Sequence, residues 1–171
     1  MSVARNGEDP VAAPVSAAER IPALDAVRGF ALFGILLMNI AAWGMHPAAY
    51  DNPTVAGGAT GANLWMWTIN HVLVEGKMRA LFSMVFGAGI ILFTSRLEAR
   101  GAGVTVADLY YRRRLWLMAF GVDHVYLLWI GEILYPYALC GLALFPFRIM
   151  RPKPLLAIAG SLMVLMSSVS V

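Results

Sequence analysis

Apolar residues come in blocks roughly one bilayer thick, and most charged residues fall between the blocks. The first block runs from Val27 to Met45, with Asp25 and Arg28 at its entrance and Asn39 deep inside it. The stretch from His46 to Asn63 contains Pro47, Pro53 and several glycines, and no Lys or Arg. The next block, Leu64 to Ser95, is too long for one span at about 1.5 Å per residue. His71, Glu75, Lys77 and Arg79 gather in it around Gly76, so it divides there. A short helix over 64–76 is predicted at the outer interface, where Trp65 and Trp67 suit the headgroup level, and a second span over 78–95. Further spans are predicted over 115–130, 133–147 and 155–171, with Gly131 and Glu132 in a tight turn. The pattern predicts an all-α fold: a polytopic transmembrane helix bundle of about five spans.

Basic residues set the orientation. They occur before the first span, in the segment holding Arg96, Arg100, Arg112, Arg113 and Arg114, and again at Arg148, Arg151 and Lys153. The two intervening connections, 46–63 and 130–132, carry none. By the positive-inside rule the N-terminus is cytoplasmic. Lys77 and Arg79 fall on the outer side, where a basic pair is expected to face protein, water or an anionic ligand.

Composition agrees with a lipid solvent. Of 171 residues, 60% are apolar and 13% charged, too few polar groups to cover a soluble domain of this size. The net charge of +3 is dispersed between apolar blocks and does not suggest nucleic acid as a partner. Residues 1–19, rich in Ala, Pro, Ser and acids, are expected to form a disordered cytoplasmic tail. The fifth block is still apolar at Val171, so the chain is expected to be the N-terminal part of a longer protein. The single cysteine, Cys140, is expected to be a small buried apolar side chain. Three dispersed histidines predict no metal site.

Ionisable groups inside apolar segments are costly, so each is a functional candidate beside a structural alternative. Asp25 and Arg28, three residues apart, share a helix face as an anchoring ion pair or as part of a pocket for a cytoplasmic ligand. His71, Glu75 and Arg79 recur at a spacing of four. On a continuous helix they form one polar stripe, either a wetted face or an acid–base and anion-binding strip. Asp123 and His124 lie inside the third span, where neighbouring side chains point about 100° apart, so each needs its own partner. Glu132 stands two turns beyond His124. His124 is either a base or proton carrier or an interhelical hydrogen-bonding group. Asn39 is either packing glue or a ligand contact.

Three segments carry a resemblance. They are Arg20 to Ile40 with its Leu24-Asp25-x-x-Arg28-Gly29 core, Lys77 to Gly89, and Asp123-His124 through Glu132 to Gly141. In this order they resemble the YeiB family of bacterial integral membrane proteins, over about residues 20–150. That family is in turn distantly similar to membrane acyltransferases of the heparan-glucosaminide N-acetyltransferase type. The resemblance implies a multi-pass protein of the bacterial inner membrane with acyl-CoA as co-substrate and no bound cofactor. Arg28 and the basic 96–114 loop would hold the donor. His124, helped by Asp123 or Glu132, would be the base or acyl carrier. Asp25, Asn39, His71, Glu75, Lys77 and Arg79 are further substrate-binding candidates. The acceptor would be an extracytoplasmic glycan or small molecule, and a homo-oligomer is compatible with the pattern. The rival expectations are a small-solute or proton-coupled transporter and a structural membrane subunit.

Overall fold

The structure, a computed structural model, describes residues 19–129 and 133–169. It is all-α among these residues. The tail expected over 1–19, apart from Glu19, and the turn containing Glu132 lie outside the described residues. The chain divides into two compact units near residue 89, with helix α3 running through the division.

In the first unit, α1 (Pro22–Gly44) starts where Ile21 is extended and Pro22 supplies a preset helical φ at the first turn. Asp25 in that turn complements the positive helix end. The connection after α1 is built from side-chain caps. His46 Nδ1 accepts from the Ala48 N–H at 3.2 Å, and Asn52 Oδ1 accepts from the Thr54 N–H at 3.0 Å and its hydroxyl at 2.7 Å. Such local bonds satisfy backbone groups that no ladder serves. Helix α2 (Gly61–Ile69) runs into a π turn, Asn70–Val74, closed by the Glu75 N–H donating to the Asn70 carbonyl at 2.8 Å. Gly76 then takes φ +69°, which glycine adopts without the Cβ penalty, and the helix stops. Helix α3 (Lys77–Ala99) begins immediately. Within this unit α1 and α3 run antiparallel. Gly34 lies against Met78 and Gly89 against Arg28, so the small residues of each helix receive the large side chains of the other.

In the second unit the end of α3 turns through Gly101 and Gly103 into α4 (Thr105–Leu127). Leu97, Ala102 and Val106 form a small core at this corner, with Phe93, Leu109 and Phe145 packed against it. Helix α5 (Leu134–Leu144) packs along α4. At Gly121 a Cβ would stand 2.5 Å from the Tyr135 backbone nitrogen, so only glycine permits that approach. The fully buried Tyr110 donates its hydroxyl to the Gly141 carbonyl, closing the other end of the pair. A tight turn, Phe145–Ile149, leads to α6 (Pro152–Val169).

Two expectations are corrected. Arg112, Arg113 and Arg114 do not lie in a loop. They belong to α4, because Thr105 to Tyr111 has no helix breaker and the turn ends at Gly103. Cys140 is exposed rather than buried, because Ala138 and Gly141 occupy the face of α5 that meets α4.

Among the described residues, two helical stretches are long and apolar enough to cross a membrane: Pro22–Gly44 and Gly61–Ala99. The second has 39 residues and is interrupted at Glu75–Gly76. Helix α3 alone, with 23 residues, is about 35 Å long, enough for a bilayer core of about 30 Å. Phe30, Phe33, Ile40 and Trp43 of α1 are all more than half exposed. In water such a row would be a large apolar patch, of the kind that marks a membrane or protein contact.

Candidate functional site

The interruption of the α2–α3 stretch builds a cleft of about 50 Å³ with both apolar and polar walls. Its walls come from Ile35, Met38 and Asn39 of α1, Tyr50 of the connection, Val74 to Gly76 at the break, and Met78 and Arg79 of α3. Helix α1 contributes because Gly34 admits Met78, and this brings Asn39 beside the start of α3.

Glu75 is the hub. Its Oε2 lies 3.3 Å from Nε2 of His71. Its carboxylate also faces the cleft beside the Tyr50 phenol. His71 is held on three sides. Its ring stacks on Trp67 with centroids 3.9 Å apart, meets Tyr50 edge-on at 5.7 Å, and sets Nδ1 3.1 Å from the Trp67 carbonyl. Nδ1 is thus the nitrogen turned to the carbonyl and Nε2 the one turned to Glu75. Trp67 in turn donates its indole N–H to the Tyr50 carbonyl at 3.3 Å, fixing the connection over the break. Burial pushes the Tyr50 phenol above its usual 10.0, and the neighbouring Glu75 carboxylate adds to this, while Arg79 opposes it. The phenol is therefore a proton donor in the cleft throughout the neutral range.

The candidate residues thus separate. Asn39, His71, Glu75 and Arg79 come together. The π turn breaks the continuous stripe, but widening the turn still leaves His71 and Glu75 in contact. Lys77 is exposed beside the break and does not line the cleft. Asp25 and Arg28 pair at 3.4 Å, both substantially exposed, at the far end of α1. Along the helix axis Arg28 is about 16 Å from Asn39. An exposed pair of this kind adds at most about 1 kcal/mol.

In the second unit His124 is half-buried within α4 and Asp123 is exposed, so the helix turns them apart. Glu132, their expected helper, lies outside the described residues. Among the described residues no group of three or more His, Cys, Asp or Glu is placed to hold a metal ion. Sequence reasoning missed Tyr50 and left Trp67 as an interfacial anchor. Trp67 lies four residues before His71, the same spacing that links His71 to Glu75 and the one signal available.

The chain is similar to several bacterial proteins. It is 36% identical over 162 residues to the uncharacterized protein YxaH of Bacillus subtilis (strain 168), covering 90% of this chain and 39% of that protein. It is 36% identical over 137 residues to the uncharacterized protein YeiB of Escherichia coli (strain K12), covering 80% and 32%. It is also 36% identical over 134 residues to an uncharacterized 39.9 kDa protein of Bacillus acidopullulyticus, encoded in an amylase 3′ region, covering 78% and 36%. The chain is therefore YeiB-like over most of its length and spans 32–39% of the curated relatives it matches. No family profile and no solved structure matches it.

Proposed function

We propose that this YeiB-like chain is part of a multi-pass inner-membrane protein of about five spans in this region, which moves an acyl group from a cytoplasmic acyl-CoA to an extracytoplasmic acceptor. The cleft at the helix break binds the acceptor, a glycan or small molecule presenting a hydroxyl or amine. The observation that carries this reading is the convergence of Glu75, Tyr50, Asn39 and Arg79 on one small cleft in an apolar helical setting, with His71 against Glu75. Such groups are costly in lipid and are retained where they serve a polar ligand. Glu75 accepts a hydrogen bond from the acceptor hydroxyl or amine and orients it. His124 is the base or acyl carrier. The acceptor loses its proton and forms the new bond to the acyl carbon, the carbon–sulfur bond of the donor breaks, and the thiol leaves with a proton. Labelled acetyl-CoA supplied to the cytoplasmic face of intact membranes should place label on an external acceptor. His124→Ala at equal membrane abundance should abolish the transfer; unchanged transfer in that variant removes His124 from the mechanism.

A second reading has its own observation. A helix discontinuous at Glu75–Gly76 with a carboxylate in the break is the arrangement by which many transporters hold solutes and protons. Proton-coupled uptake into proteoliposomes, without label transfer, would select it.

A further inference from the structure

The second unit holds a basic cluster away from the cleft residues. Residues 96–114 carry five arginines against two acids, Glu98 and Asp108. Asp108 is 3.8 Å from Arg112. Glu98 lies 3.3 Å from Nε of Arg148, whose Nη1 donates to the Phe145 carbonyl at 3.3 Å. Arg113 has neither a hydrogen bond nor a carboxylate among the described residues. Its guanidinium sits 5.3 Å over the Phe93 ring, and that of Arg148 sits 3.9 Å over Phe145. Phe93 and Phe145 both pack on the α3–α4 corner core, so the two cations flank one apolar platform. A guanidinium resting on a ring has already lost much of its freedom; Arg113 keeps its whole fork of donors for an oxyanion, and Arg148 keeps Nη2 beyond its bonds to Glu98 and Phe145. Beyond Arg113 on α4, Leu115 and Trp116 are 49% and 64% exposed. The unneutralised charge of Arg113, followed at once by an exposed apolar face, fits a ligand that is a phosphate at one end and a hydrocarbon at the other, with Arg148 as its second donor.

We propose that Arg113 and Arg148 form a binding site for the phosphate of an anionic phospholipid of the cytoplasmic leaflet. This rests on the membrane orientation of the proposed function and not on acyl transfer, and its readout is bound lipid rather than activity. The purified protein, offered equal amounts of phosphatidylglycerol and phosphatidylcholine in detergent, is weighed by native mass spectrometry. The expected result is retention of phosphatidylglycerol by about tenfold over phosphatidylcholine, the value of one good charge-assisted contact. Arg113→Gln with Arg148→Gln should bring the ratio to parity. Arg151→Gln with Lys153→Gln, which removes two basic residues outside the stacked pair, should leave it intact. Arg113→Lys with Arg148→Lys keeps the charge and loses the fork, and should lower the ratio at unchanged helical circular dichroism. Three results overturn the proposal. One is a preference that survives the double Gln variant. Another is equal loss in the control or full retention in the Lys variant, which means a diffuse field alone. The third is displacement of the lipid by free coenzyme A, which makes the cluster a donor site instead.

Discussion

His71 and His124 both lie in apolar helical stretches, yet the chain treats them differently. His71 sits in a π turn that is followed, after Glu75, by a glycine that ends the helix, and three aromatic or acidic neighbours fix its ring. His124 sits in an unbroken helix whose glycine, Gly121, is used to draw α5 close. In the first region a break releases backbone geometry and lets side chains from α1, the connection and α3 converge. In the second the regular helix turns Asp123 and His124 apart and devotes its small residues to packing. Interruption of a helix, more than the count of polar residues, is what gathers a site here.

Perturbing the two regions should therefore give different signatures. The largest effect is expected at His124, where replacement by Ala should lower the rate of transfer at saturating acceptor by about a hundredfold or more, the usual contribution of a positioned base. Glu75→Gln should act on the acceptor instead, raising its KM by about tenfold as a hydrogen bond to a charged group is weakened, with the saturated rate less affected. Steady-state kinetics against acceptor concentration separates the two. Next is packing. Gly121→Ala would drive a methyl into the α5 backbone and should cost about 1–3 kcal/mol in mixed-micelle denaturation. Gly34→Ala meets Met78 Cγ, Sδ and Cβ and no backbone, so a swing of the unbranched Met78 side chain relieves it and it should cost less. Equal costs would mean the two helix pairs are packed alike. The smallest effect is at Tyr50. Its phenol is held protonated by folding, so its contribution is complete below pH 10 and fades as pH rises further. Tyr50→Phe should flatten that alkaline decline and leave stability at neutral pH nearly unchanged.

Much of this was legible in the sequence. Helical character follows from the apolar blocks, and the crowding of His71, Glu75, Lys77 and Arg79 marked the neighbourhood of the break. The spacing of four linked His71 to Glu75 even though a π turn replaced the regular helix. Tyr50 was not legible, because its meeting with Glu75 spans 25 positions and depends on how the 46–60 connection folds back, which no periodic pattern encodes. Arginines 112–114 were read as a loop on charge alone, whereas nothing between Gly103 and Tyr111 stops a helix. The exposure of Cys140 is not legible, because an apolar run does not say which of its faces packs on a neighbouring helix.

The central claim is that the cleft around Glu75 receives the acyl acceptor. Its most direct test is transfer of label from cytoplasmic acetyl-CoA as a function of external acceptor, with wild type and Glu75→Gln at matched abundance. The account predicts label on the acceptor, a raised KM in the variant and a saturated rate that is largely kept. Indistinguishable KM values, or an absence of transfer by intact wild-type protein across acceptors bearing hydroxyl and amine groups, would contradict it.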